Sequence, residues 1–183
     1  LYHSIMEKQS RLDKATDINV ANYIAVNKNI KLNDAFTKAM KELYLSGVES
    51  LDFASPKTAK TINTWCNKQT KGMIPSIIDN VDPNATAYLM NAIFFNGTWA
   101  KTFDKTMTKQ ERFQGYTRNI QKVQMMHQND KFFYTTTPAY AAVDLPYGNG
   151  AYSMTVLLPH NGHSIDEIMK DLTAEKLLQT EQN

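Results

Sequence analysis

The chain has 183 residues, 42% hydrophobic and 21% charged, a balance that suits a folded protein and excludes disorder by composition. Twenty Lys and Arg face eighteen Asp and Glu, a net charge of +2, without the basic excess of a general nucleic-acid or anionic-membrane surface. The single cysteine, Cys66, excludes an internal disulfide and a cysteine-built zinc site, and no apolar run nears the ~20 residues of a helical membrane span.

Residues 1–13 place Tyr2, Ile5, Met6, Gln9 and Leu12 near one helical face and do not read as a signal peptide. Residues 19–26 are mostly apolar and predict a strand. Residues 33–46 predict a helix capped by Asn33 or Asp34, with Phe36, Met40, Leu43 and Tyr44 along one face and Gly47 as its stop. Residues 48–53 predict a short strand. Ser55 and Pro56 then open a helix whose stripe is Ala59, Ile62, Trp65 and Cys66, ended by Lys71 and Gly72.

Residues 86–96 are almost continuously apolar around Asn91, the pattern of a strand covered on both faces. Asn91 then needs a partner, since a buried amide left unsatisfied costs about 1–3 kcal/mol. Beyond Trp99 the texture turns to strands at 103–116, 119–130, 131–137, 141–146 and 151–159, parted by turn residues. Short helices follow at 164–170 and 173–179, capped by Ser164 and Thr173. Helices and strands first, then mostly strands, is an α+β order, and no repeat or domain boundary is visible.

The usual enzyme constellations are missing from the sequence. His160 and His163 flank a glycine turn without a third ligand of known geometry nearby. Cys66 has no histidine near it in sequence and sits on an apolar stripe, where a structural thiol is expected. There is no nucleophile elbow, phosphate loop or dinucleotide loop. Asp166 and Glu167 are neighbours at a helix start, which suits the helix dipole better than acid–base work. Two glycosylation sequons, at Asn84 and Asn96, carry meaning only in a secretory eukaryotic host.

Specific strings take the reading further. Ile62-Asn63-Thr64-Trp65 is followed by Thr70-Lys71-Gly72-Met73-Ile74, then Leu89-Met90-Asn91-Ala92-Ile93-Phe94-Phe95-Asn96-Gly97-Thr98-Trp99 and Phe103. Thr108, Phe113, Val123-Gln124-Met125-Met126, Leu145-Pro146-Tyr147 and Ser153-Met154-Thr155-Val156-Leu157-Leu158-Pro159 come next. In this order and spacing, covering nearly the whole chain, they resemble the serpin family. Pro75, and Gln124 before the paired methionines, depart from the family's frequent residues.

The resemblance implies a partial serpin fold, with helices on a large mixed sheet A and smaller antiparallel sheets B and C. Residues 1–13 resemble the end of helix D, 19–26 the second strand of sheet A, 33–46 helix E and 48–53 the first strand. Residues 56–69 resemble helix F, and 86–97 the third strand, beside which the reactive loop inserts. From about Thr108 onward the chain resembles strands of sheets C and B, then helices G and H. Residues 1–183 are thus expected to form one partial serpin domain, with the first helices, the fifth strand of sheet A, the reactive loop and the closing strands of sheet B outside the chain. A half-fold leaves its core uncovered, so apolar surface near Ile93, Phe95 and Val156 is expected to be exposed or met by another chain.

The implied activity is inhibition of serine proteases, and in some members of cysteine proteases, by a suicide trap in which the cleaved loop enters sheet A as a new strand. The alternative is a non-inhibitory carrier, chaperone or storage protein. The resemblance gives conformational roles to Asn91 and Phe95 at the shutter of the sheet, and to Asn63, Thr70 and Gly72 at the end of helix F and the connection that must shift. Trp99 and Thr108 match the breach, where insertion begins. No catalytic residue, metal or cofactor is implied. The expected partners are a protease and the remaining half of the serpin chain, with no nucleic acid and no membrane span. The expected location is extracellular or cell-surface.

Overall fold

The computed structural model describes residues 2–115 and 119–177. The chain forms two units, Leu1–Asn96 and Gly97–Asn183. The sequence shows no such boundary; it falls where a glycine ends the long apolar strand.

In the first unit, α1 (Tyr2–Leu12), β1 (Thr16–Asn27), α2 (Asp34–Leu43), β2 (Ser46–Leu51), α3 (Lys57–Gln69) and β3 (Ala87–Gly97) follow one another. The sheet order is β2-β1-β3. β1 and β2 are parallel, from Asn22 opposite Ser46 to Asn27 opposite Leu51. β3 runs antiparallel to β1: Asn27 N donates to Thr86 O at 3.0 Å, and Asn91 reaches Ala21 and Asn22 further along. The sheet is therefore mixed, with β3 as a marginal strand among the described residues.

The core of this unit lies between the sheet and α3. Tyr23, Ala25, Phe53 and Ile62 are buried together, with Leu51, Trp65, Ile78, Val81, Tyr88 and Met90 packed around them. Tyr23 stacks on Trp65 at 5.0 Å, and Phe53 meets Tyr88 edge-on at 5.4 Å. Burial first, and then a 2.6 Å bond to Glu49, pushes the Tyr23 phenol well above its ordinary pKa, so it stays protonated. Cys66 is buried on the inner face of α3, and burial raises its thiol pKa too, which suits a structural thiol.

One local expectation needs correction. Asn33 does cap α2 through its side chain, but the helix ends at Leu43 and the left-handed residue is Leu45, at φ 52°. Gly47 lies inside β2, where a Cβ would come within 2.9 Å of the Tyr23 ring. It is needed for close approach, not as a helix stop. The start of α3 is as read: Pro56 is already helical (φ -63°, ψ -14°), and Ser55 Oγ accepts from Lys57 N at 3.3 Å. Lys71 and Gly72 end α3 as read, with Lys71 in the left-handed position (φ 50°) and Gly72 following at φ 89°. Gly72 N bonds Asn67 O at 2.8 Å and Lys71 N bonds Lys68 O at 3.3 Å. This is the Schellman pattern, with a lysine where glycine is usual.

Lys28 Nζ lies 2.7 Å from Asp52 Oδ2, and this bond, before all other causes, holds the Asp52 carboxyl below the usual carboxylate range. A carboxyl whose folded pKa is lowered adds stability that is complete above its unfolded value, about 3.9. That stability is lost as pH falls through the folded value. The wild-type melting temperature is therefore expected to fall more than that of Asp52→Asn between pH 5 and pH 2. Parallel melting curves would exclude this contribution.

In the second unit, a single 3-10 turn (Lys105–Met107) precedes the antiparallel hairpin β4 (Lys109–Gln114) and β5 (Ile120–Met125). The antiparallel meander β6 (Phe133–Thr136), β7 (Tyr140–Tyr147) and β8 (Tyr152–Pro159) follows, then α4 (Ile165–Asp171). Ile168 of α4 packs with Tyr140 and Ala142. Glu167 closes a capping box with Ser164, which gives one of the two neighbouring acids its role. His160 lies 3.1 Å from Thr136 Oγ1, and His163 sits 3.8 Å from Glu167. The strand expected over 103–116 is a turn plus the shorter β4, and its last residue is outside the described ones, as is the end of the helix expected at 173–179.

Candidate functional site

The strand expected to be covered on both faces is covered on one. Ala92 and Phe94 are buried, while Leu89, Ile93 and Phe95 are 77%, 60% and 39% exposed on the opposite face. Val156 in the second unit is 40% exposed. The apolar surface expected at Ile93, Phe95 and Val156 is thus open to solvent.

Asn91 lies on the exposed face of β3 and has the partner its chemistry asks for. Its Nδ2 donates to Asn22 Oδ1 at 2.9 Å and to Ala21 O at 3.3 Å. Asn22 Nδ2 in turn donates to Tyr2 Oη at 2.8 Å and to Tyr44 O at 3.1 Å. One amide chain therefore links β3 to β1, α1 and the end of α2. Asn22 was not singled out from the sequence; the polar break it makes in the apolar run 19–26 was the available signal. Beside this chain is a groove of 490 Å³, lined by Val20, Ile24, Met40 and Leu89 among others.

Asn63, Thr70 and Gly72 lie along α3 and its exit. Asn63 Nδ2 donates to Ile78 O at 2.8 Å, and its Oδ1 accepts from Ile77 N at 2.9 Å and Ile78 N at 3.2 Å. One side chain thus fastens the connection after α3 to the helix. Thr70 is fully buried; its hydroxyl donates to Cys66 O at 2.9 Å and accepts from Ile74 N at 3.0 Å. Gly72 completes the reversal. These contacts hold the segment between α3 and β3 by a few polar bonds, each worth about 0.5–1.5 kcal/mol net. Ile78 and Val81 of the same segment also pack against the core, so its hold is part polar and part apolar.

Trp99 and Thr108 belong to the second unit. Trp99 stacks on Tyr147 at 4.3 Å with the rings 12° apart, and Phe103 meets it edge-on at 6.0 Å. Backbone bonds from Ala100 N to Pro146 O (2.9 Å) and from Gly148 N to Thr98 O (2.8 Å) fix that pairing. Thr108 ends the 3-10 turn, its N–H donating to Lys105 O at 3.2 Å.

The family model for serpins (serine protease inhibitors) matches residues 1–183. The chain belongs to the serpin family. It is 32% identical to human Serpin B3 over 98% of its own length and 48% of that protein's. It is also 32% identical to the leukocyte elastase inhibitor of Xenopus tropicalis, over 91% of this chain and 47% of the relative. Among solved structures it resembles the native state of the thermophilic serpin tengpin with a TM-score of 0.88 and 26% identity, covering 97% of this chain and 46% of that one. This serpin chain spans about half the length of the relatives it matches. Serpins are protease inhibitors and binding proteins, not enzymes, which agrees with the missing catalytic motifs in the sequence.

Proposed function

We propose that this serpin chain is the loop-receiving part of a serine-protease inhibitor that works by suicide trapping. The protease attacks a reactive loop outside these residues, and the cleaved loop enters the sheet as a strand beside β3. The observation that carries this reading is β3 itself. It is bonded to β1 on one side and tied at its middle by Asn91, and its other side is where the resemblance puts the fifth strand of sheet A, outside these residues. Once those two strands part, the freed edge of β3 is a template for another strand.

In this reading Asn91 and Phe95 form the shutter, and Asn63, Thr70 and Gly72 the yielding connection. Trp99 and Thr108 are the breach. The partners are a serine protease, or a cysteine protease, and the remaining half of the serpin chain, with action outside the cell or at its surface. The exposed face of β3 supports a role for further chain in completing the fold.

The test is incubation of the full-length polypeptide carrying these residues with trypsin, chymotrypsin, elastase and papain. The expected result is a complex of summed mass that survives boiling in detergent. Clean cleavage of the loop by all four, with no complex, would sink trapping and favour a carrier or storage role.

A further inference from the structure

Lys71 stands in a position that its backbone does not favour. It is the left-handed residue of the Schellman turn ending α3, at φ 50°, where a residue with a Cβ costs roughly 1–2 kcal/mol relative to glycine. The next residue is already glycine, so a glycine one position earlier would have made the same turn without strain. Strain of this kind persists where the side chain has a use.

The Lys71 side chain reaches two strands at once. Its Nζ pairs with Asp17 Oδ2 on β1 and lies 5.3 Å from the centre of the Phe94 ring on β3. Phe94 is buried on the α3 side of that strand. A second tie lies alongside: Asn19 Nδ2 on β1 donates to Gln69 O at 2.9 Å and to Gln69 Oε1 at 3.1 Å. The last turn of α3 is thus pinned to two neighbouring strands through one exposed cation. Among the described residues, the Thr70 hydroxyl bonds backbone groups of its own segment alone.

We infer that Lys71 is a latch that fastens the end of α3 to β1 and β3, and that its release sets how fast the helix lifts from the sheet. This deepens the proposed function and rests on it, since lifting matters where a strand must enter. An exposed ion pair and a cation–ring contact together hold weakly enough to open at working temperature and strongly enough to slow opening by a few-fold. Both weaken as salt rises.

The test uses the full-length polypeptide and three forms: wild type, Asp17→Asn and Lys71→Gly. Each is incubated at elevated temperature, and the loss of trapping activity is followed as the uncleaved loop enters the sheet. Asp17→Asn, which loses the ion pair alone, is expected to convert roughly 1.5- to fivefold faster than wild type, and Lys71→Gly, which loses both contacts, roughly three- to tenfold faster. Wild type is expected to speed up more between 50 mM and 1 M salt than Asp17→Asn, which keeps only the cation–ring contact. Lys71→Gly is the sharper case, because relief of the turn should leave the unfolding temperature equal or higher while conversion accelerates. A residue that only supports the fold would move both measures the same way. Equal conversion rates in all three forms overturn the latch.

Amide hydrogen exchange over residues 69–72 separates the two readings. It is expected to quicken in Asp17→Asn whether or not any protease is trapped. If wild type traps nothing, the proposed function fails while exchange still reports on the latch. Unchanged exchange in that variant removes the latch by itself.

Discussion

Phe53→Ala is expected to lower stability by about 3–5 kcal/mol, the range for emptying a buried phenylalanine site. Phe53 is 2% exposed and sits with Tyr23, Ala25 and Ile62, its ring edge-on to Tyr88. Both sides of the cavity are built from regular elements, β1 and α3, which cannot collapse into the space without shifting the sheet against the helix. The cost therefore includes lost contact as well as lost transfer energy. Trp65 lies in the same cluster and stacks on Tyr23, so its fluorescence reports on this core directly. With Trp99→Phe as background it is the one tryptophan of these 183 residues, and the urea midpoint can be read from it. A midpoint within error of the background protein would mean that this cluster does not hold the unit together. Phe53→Leu keeps most of the volume and is expected to lose less than half as much.

Asn63→Ala is expected to cost about 2–3 kcal/mol, the sum of three hydrogen bonds at about 1 kcal/mol each with little packing change. The amide of Asn63 behaves like a short piece of strand edge, donating to and accepting from Ile78 while also accepting from Ile77. Ile78 and Val81 lie against the core, so losing the clamp loosens the return of the chain to β3 and not the helix itself. The expected sign of this is faster proteolytic nicking near Met73, Ile74 and Ile77, which are already exposed. Asn63→Asp keeps the acceptors for two N–H groups but faces the Ile78 carbonyl without a donor, and should fall between. Equal nicking rates in all three forms would show that the connection is held by something other than this side chain.

Local chemistry was legible in the sequence wherever one residue decides an outcome. Asn33 caps α2 and Ser164 caps α4 as read, because a cap bond spans only two or three residues. The apolar stripe of α3 and the burial of Ile62 and Cys66 follow from helical spacing. The family was legible because its motifs recur in order along the whole chain. Less legible were features that depend on a distant neighbour. Gly47 read as a helix stop because a glycine after an amphipathic run has that meaning; its actual reason, the Tyr23 ring, lies twenty-four positions earlier and meets it only through the β1–β2 pairing. Nothing in the string Thr70-Lys71-Gly72 shows that the lysine takes the left-handed place, or that Asp17, fifty-four positions earlier, waits for it.

The sequence alone determined the order of elements, the α+β class, the serpin relationship and the need of Asn91 for a partner, since each rests on spacing, composition or recurring motifs. The tertiary structure decided that this partner is Asn22, that β3 buries Ala92 and Phe94 while exposing Leu89 and Ile93, and that Lys71 spans two strands. The physical reason is the same in each case. A run of side chains tells how apolar each face of a strand is, but what lies against that face, and which distant group answers a polar atom, is set only when the chain is folded back on itself.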